Sequence, residues 1–559
     1  MGQIPAEYLP PRELWPQRIY TLPEFTKISQ RFNSTEELLD KTVAAGKGGR
    51  AALHFEDKQI PYRALLDQVN RLGSALRRLG IEEADRVVLR LPNIPPAIVA
   101  NFAVLKIGAV IVPTSVLFSR AEIAHICNST EAKAIIVAAS LLEEFEQARP
   151  LLHTIRQVIV VGGDRDEIKR KGCLSYQELL DAGDPTCDPV RRDRLDVSVL
   201  LFTSGTTGPP KGTVHFMEEA LIVPDSFGKY CWRVTEEDVL LSPAPLAMAA
   251  GYSVAAAIPY RFGAALSLLP RFTPEAAFET IERHKVTILS ALPTAYRKML
   301  QAPDAPTRYN LSSLRLCTGG GESLTAQTYF DWKAKFGLEI FEGLGTTELM
   351  FVFASSAGPR RVKPGSIGPA VAGYELRVVN EDGRDCRPGE TGELLVRGPT
   401  GTVYWRDPDA QRRAVTDGWS RAGDMVSMDE EGYIAFLTRE DDLIKSSGYR
   451  IGPEEIEDVL LTHTAVADVG VVGLPDPVMG QRTKVFVALK AGQQPSEGLK
   501  AELIEFCTGK LAVYKLPREV EFIDRVPRAT GPGGPGTGKL LRRLLRQRGQ
   551  DKAQAGEKP

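Results

Sequence analysis

The densest chemistry in this 559-residue chain lies in one string, Thr203-Ser204-Gly205-Thr206-Thr207-Gly208-Pro209-Pro210-Lys211-Gly212. Hydroxyl side chains and glycine N–H groups at this density can wrap the oxygens of a polyphosphate, because glycine lets the backbone come close, and Lys211 adds a point charge. The same residue types also make plain surface turns. Their concentration beside a lysine, directly after the apolar run Val199 to Phe202, favours phosphate. A second string, Gly533-Gly534-Pro535-Gly536-Thr537-Gly538-Lys539, has Walker-like spacing, but Leu540 stands where a metal-binding Ser or Thr is needed. No apolar strand leads into it, so it reads as a glycine loop presenting one lysine. The seven cysteines (127, 173, 187, 231, 317, 386 and 507) have no metal-ligand spacing and read as reduced thiols. The six histidines are scattered, and no Ser/His/Asp or Cys/His hydrolytic set is evident.

The phosphate-type loop needs a rigid support, and the surrounding pattern supplies one. Leu65, Leu66, Val69, Leu72, Leu76 and Leu79 recur at helical spacing, followed by a strand at Val87 to Leu91. The alternation continues with a helix over Ile98 to Lys106 and strands at Val110 to Val112, Ala134 to Val137, Val158 to Val161 and Val199 to Phe202. Further runs at Val286 to Leu289 and Leu314 to Cys317 predict a second layered unit. Two parallel sheets with covering helices are expected, meeting at a cleft. After about residue 365, short strands at Glu375 to Val379 and Glu393 to Val396, with turns at Asp382-Gly383 and Pro388-Gly389, predict a small β-rich subdomain. The charged segment Arg439 to Asp442 precedes a compact α/β stretch. The predicted fold is thus α/β, with an N-terminal domain over 1–440, a small C-terminal domain over 441–546 and a frayed tail over 547–559.

Composition narrows the class. The chain is 43% hydrophobic and 25% charged, as a globular protein is, and its 69 basic against 71 acidic residues leave no global field to hold nucleic acid or an anionic membrane. The basic run Lys539 to Arg548 reads as the solvated face of a terminal helix. The amino terminus has prolines and acids where a secretory signal needs an apolar core, and no stretch reaches membrane-spanning length, so a cytoplasmic location is expected. Gly2 is no acylation site on this reading, since Ala6 replaces the required Ser or Thr.

Thr203 to Gly212 resembles the signature loop of the adenylate-forming superfamily: acyl-CoA synthetases, firefly-type luciferases and peptide-synthetase adenylation domains. Other strings follow in the family's order. Gly319-Gly320-Gly321-Glu322 and Gly343-Leu344-Gly345-Thr346-Thr347-Glu348 are similar to its adenine-site segments, and Asp417 to Asp424 to its ribose segment. Arg439 to Glu457 looks like its hinge and the start of its mobile domain, and Thr537-Gly538-Lys539 closes the set. The likeness spans about residues 40 to 545. Leu14-Trp15-Pro16, Pro245-Leu246-Ala247 and Leu344 to Glu348 look closest to benzoate- and aminobenzoate-CoA ligases.

The resemblance implies an ATP- and magnesium-dependent ligase that adenylates a carboxylic acid, releases pyrophosphate and passes the acyl group to coenzyme A. It implies that Thr203, Ser204, Gly205, Thr206, Thr207, Gly208 and Lys211 hold phosphates, with Gly320, Gly321, Glu322 and Gly343 to Thr347 around the nucleotide. Glu348 would bind magnesium, and Asp424 and Arg439 the ribose. Lys539 would sit between carboxylate and α-phosphate, with Thr203, Thr347 and Glu348 as its catalytic companions; taken alone it is an ordinary surface lysine. Asp441 would be the hinge, Arg450 would approach nucleotide phosphate, and Gly448 and Tyr449 would line the coenzyme A tunnel. Ala247, Ala250, Gly251, Tyr252 and Gly319 would line the acyl pocket. Two departures stand out. Ala250 replaces the aromatic residue usual in benzoate-type relatives, which opens space for a bulkier aryl, alicyclic or medium-chain acid. Ala529 to Gly536 lengthens the approach to Lys539, which predicts a less well fixed lysine and slower adenylation. Rival readings are an enzyme loading a carrier protein, a luciferase-like oxygenase, and a nucleotide-binding protein whose chemistry has lapsed. Monomer and homodimer both remain open.

Overall fold

The computed structural model describes residues 4–203, 210–322, 324–358, 362–447, 449–528 and 540–556, with side chains as far as Asp551. Two compact units divide the chain: residues 1–376 with 396–420, and residues 377–395 with 421–559.

The first unit contains the two sheets anticipated from the apolar runs. A seven-stranded sheet has the spatial order Lys211–Phe216, Val197–Thr203, Val110–Pro113, Arg86–Arg90, Ala134–Ala138, Gln157–Val161, Leu174–Ser175. All its neighbours are parallel except the first pair, an antiparallel edge hairpin. An eight-stranded sheet has the order Val352–Ser355, Ile340–Gly345, Leu316–Gly320, Ile288–Ala291, Val239–Leu241, Ala265–Ser267, Ala51–Phe55, Lys58–Pro61. Only its two edge pairs are antiparallel. Strands buried on both faces must be apolar throughout, which is why they read as continuous runs rather than as an alternation.

Helix Pro95–Lys106 shows what burial does to a helix. Its two prolines occupy the first turn, where the backbone N–H groups have no helical acceptor to lose. From Ala97 to Lys106 every side chain is buried, so the helix has no polar face. It packs against both helix Tyr62–Arg78 and helix Ala249–Ala256. Truncating Phe102, fully buried at its centre, would cost about 3–5 kcal/mol.

The second unit holds a five-stranded sheet built on the long hairpin Val466–Asp476 and Gly480–Leu489, with Glu519–Phe522 added in parallel. The turns expected at Gly383 and Gly389 are present, each glycine at positive φ. One expectation fails in this unit and another holds only in part. Helix Arg542–Gly556 runs through most of the segment read as a frayed tail from 547. Gly549 is buried there, and a side chain at that position would lie 2.6 Å from Leu474, so the helix is held by packing. Its basic face is solvated only in part: Arg543 and Arg548 are exposed, the latter pairing with Glu521, whereas Arg542 is 6% exposed among Asp442, Glu454 and Glu457, and Arg546 pairs with Asp442.

Candidate active site

The carboxyl ends of the parallel strands in the eight-stranded sheet collect about half of the expected residues. In an open α/β sheet this edge is where ligands bind, because the loops leaving the strands there can diverge around a crevice. Strand Leu316–Gly320 lies beside Ile340–Gly345 with Gly319 opposite Glu342 and Gly320 opposite Gly343, so the two glycine-rich ends reach the edge together. The glycines are required by close backbone approach. A Cβ on Gly345 would stand 2.2 Å from the Phe351 carbonyl oxygen, and one on Gly320 2.8 Å from that of Gly343. Beyond the edge, the Thr346 side chain accepts a hydrogen bond from Leu349 N–H at 3.3 Å and caps the short turn Thr347–Leu349. Glu322 accepts bonds from the Thr294 hydroxyl and, at 3.3 Å, from its N–H, which fixes the Gly319–Glu322 segment to helix Pro293–Leu300.

Glu348 has a neighbour that sequence reasoning missed. The Tyr404 hydroxyl donates to Glu348 Oε1 at 3.0 Å. Tyr404 reaches it because residues 403–405 add as an extra edge to strand Lys211–Phe216, with Val214 N–H bonded to Val403 O and Trp405 N–H to Gly212 O. Lys211 Nζ stands 5.9 Å from the centre of the same ring, within cation–π range. One tyrosine thus lies beside the lysine of the phosphate-type string and bonds the expected magnesium ligand. Its sequence signal was faint, a Tyr-Trp pair in a glycine-rich stretch. Thr203 pairs with Lys211 across the hairpin, and Ser204 to Pro209 lie outside the described residues.

The expected acyl wall follows strand Val239–Leu241. Ala247 is half-buried, Gly251 is buried, and Met248 and Ala250 are exposed. Tyr252 is buried, and its hydroxyl donates to Asn101 Oδ1 at 2.9 Å. Burial also pushes that phenol well above its ordinary range.

The remaining residues belong to the second unit. Asp424 and Arg439 face each other across adjacent strands, with Arg439 Nη1 donating to Asp424 Oδ1 at 2.7 Å; the carboxylate is buried. Asp441 lies in the short turn Glu440–Asp442, where its carbonyl accepts from Arg546 at 3.0 Å. Arg450 pairs with Glu381. Tyr449 is 51% exposed and stacks on Tyr514 with ring centres 4.2 Å apart. Gly448 and Lys539 lie outside the described residues. The ends of the stretch that carries Lys539 are described. Arg528 and Leu540 form an antiparallel bridge, Leu541 N–H donates to Pro527 O at 2.9 Å, and Arg528 is held bidentately by Asp468 at 2.9 and 2.7 Å.

All seven cysteines are free, and burial pushes Cys127, Cys231 and Cys317 up to about 12, so none of these three is a thiolate nucleophile. Among the described residues no three or more His, Cys, Asp or Glu converge on a metal position. Glu348 still fits an ion that arrives on nucleotide phosphates: it is a half-buried hard oxygen donor at the glycine-rich edge, and magnesium is ordinarily held by one or two carboxylates plus phosphate and water. No helix among the described residues is long and apolar enough to cross a membrane.

Comparison with known proteins agrees with this geometry. The family described as AMP-binding enzyme matches residues 40–405, and the AMP-binding enzyme C-terminal domain matches residues 455–533. Benzoate–CoA ligase of Thauera aromatica is 33% identical over 94% of this chain and 97% of its own. Among solved structures, the anthranilate CoA ligase AuaEII in complex with anthranoyl-AMP superposes with a TM-score of 0.85 at 29% identity, covering 94% of this chain and 98% of that one. A benzoate CoA ligase from Burkholderia xenovorans LB400 gives 0.81 at 30% identity, covering 92% and 100%. The chain therefore belongs to the AMP-binding enzyme family of the adenylate-forming superfamily, as an AMP-forming acid–thiol ligase that uses ATP, magnesium and coenzyme A.

Proposed function

We propose that this ligase activates an aryl carboxylic acid of the benzoate type, working in the cytoplasm on a small-molecule substrate. The observation that carries this reading is the chemistry of the acyl-side segments. Residues 247–252, 319–321 and 343–346 contain no charged side chain, and the first of them offers Met248 and Ala250 at its exposed face. An acid with a second charge would lose its hydration there without a partner. A bulkier alicyclic or medium-chain acid is the second reading, favoured by the small Ala250 where benzoate-type relatives have an aromatic ring.

Attack of a carboxylate on the α-phosphate brings two anions together, so the residues must supply positive charge and alignment more than acid or base. In this proposal Thr203, Ser204 to Gly208 and Lys211 grip the phosphates, with Thr347 bonding a phosphate oxygen. Glu348, oriented by Tyr404, ligates magnesium, which neutralises phosphate charge. Gly320 to Glu322 and Gly343 to Thr346 border the adenine. Asp424, an acceptor-only carboxylate fixed by Arg439, takes the ribose hydroxyls. Lys539 bridges carboxylate and α-phosphate in the first step. The domain over 441–546 then turns at Asp441, withdrawing Lys539 and bringing Gly448 and Tyr449 to the tunnel through which the thiol of coenzyme A attacks, with Arg450 near the nucleotide.

The test is pyrophosphate release with ATP and magnesium over benzoate-type, alicyclic, straight-chain and dicarboxylic acids, with and without coenzyme A. Release with an aryl acid and thioester only with coenzyme A is expected. Preference for a dicarboxylic acid, or acyl transfer to a carrier protein in place of coenzyme A, would overturn the reading.

A further inference from the structure

Asn93 lies outside every segment that the family resemblance singles out, yet it grips the expected acyl wall from the other sheet. It follows strand Arg86–Arg90 of the seven-stranded sheet and is 6% exposed. Its Nδ2 donates to Ala244 O at 2.9 Å, and its Oδ1 accepts from Leu246 N–H at 3.2 Å. One side-chain amide thus satisfies a donor and an acceptor of the loop after Val239–Leu241, as a neighbouring strand would. The loop is held from the opposite side as well. Pro245 O accepts from Met248 N–H at 3.0 Å, and a Cβ on Gly251 would stand 2.1 Å from that same oxygen. The loop cannot move toward helix Ala249–Ala256, and Asn93 prevents it from moving away. Where it sits decides how far Ala247, Met248 and Ala250 stand from the strand ends at Gly319 and Gly343.

We infer that Asn93 is a specificity-determining positioning residue, setting the depth of the acyl pocket by fixing the Ala244–Leu246 backbone from the neighbouring sheet. This rests on the aryl-acid reading of the pocket. Asn93 touches no reacting atom, so its removal changes which acid is preferred more than it changes nucleotide use. Leaving a buried carbonyl and N–H unpaired lets the wall shift, and about a tenfold change in relative kcat/KM between a compact and a bulky acid is expected.

The experiment compares the parent, Asn93→Ala and Asn93→Asp on benzoate and cyclohexanecarboxylate. For Asn93→Ala the ratio of the two kcat/KM values should move about tenfold, while KM for ATP stays within about twofold. A carboxyl at position 93 can make both bonds only when protonated, donating to Ala244 O and accepting from Leu246 N–H. The Asn93→Asp ratio should therefore return toward the parental value as pH falls, a readout that holds even if Asn93→Ala does not fold. Variants that lose turnover on both acids alike, with the ratio unchanged at every pH, would overturn the inference. A parent active on neither acid would instead fail the aryl reading, and this inference would fall with it.

Discussion

The Tyr404 hydroxyl lies 3.0 Å from Glu348 Oε1, and a neutral donor at that distance orients a carboxylate without cancelling its charge. Glu348→Gln keeps the shape and the tyrosine bond but removes the anion that a hard cation needs. Acid-dependent exchange of pyrophosphate into ATP should fall at least about tenfold, and the magnesium concentration for half-maximal rate should rise. Melting temperature should hardly change, because the side chain is half-buried at an edge. A normal magnesium titration in this variant would remove Glu348 from the metal site. Tyr404→Phe should give a smaller shift in the same direction, since it loosens the carboxylate without discharging it.

Helix Arg542–Gly556 is tied to helix Pro453–Leu461 by a buried cluster, and that cluster titrates. Burial pushes the Glu454 carboxyl up to about 7; Arg542 opposes the rise and Glu457 adds to it. Glu457 is also raised, mainly by burial, against the pull of Arg542. A raised carboxyl binds a proton more tightly folded than unfolded, so its stabilising contribution is complete below about 4.5 and is lost as pH climbs toward about 7. Glu454→Gln should therefore flatten the fall in melting temperature between about pH 5 and about pH 8. A slope identical to the parent's would show that the carboxyl is ionised throughout that range. This cluster also marks what sequence reading could reach. The strands at 110–112, 134–137 and 375–379 were legible because strands buried on both faces, or bounded by glycine turns, announce themselves in residue type. The helix beyond 547 was not: Gly549 signals an ending unless one knows that Leu474 waits across from it. Likewise the glycine-rich strings were readable because chain-local chemistry demands glycine, whereas Asn93, Asn101 and Tyr404 act through partners 151, 151 and 56 positions away. Such pairings exist only once the sheets have assembled.

At the scale of the whole molecule, Thr203, Thr347 and Glu348 belong to one compact unit and Asp424 and Asp441 to the other. If Lys539 serves the first half reaction alone, the two halves must separate on mutation. Lys539→Ala should slow acid-dependent pyrophosphate release by roughly two orders of magnitude, as the loss of charge stabilisation at a developing anion does. Transfer from a supplied acyl-adenylate to coenzyme A should remain near the parental rate in single-turnover measurements. Equal loss in both halves would deny that the lysine leaves between steps. The same comparison on the parent gauges the Ala529 to Gly536 insertion, which is expected to slow only the first half.

The pairing of Arg528 with Leu540, backed by Asp468, bears on inheritance as well as on rate. Where two residues are paired in this way, the number of residues between them in sequence can change without disturbing what lies outside the pair, since closing a longer loop costs only about 0.6 kcal/mol per doubling. Selection at such a place acts on the pairing and is nearly blind to the number of residues between. The glycines and prolines of residues 529–536 could therefore accumulate in the sequence beside the lysine proposed for adenylation by small, nearly neutral steps, and a descendant could lose them by the same route.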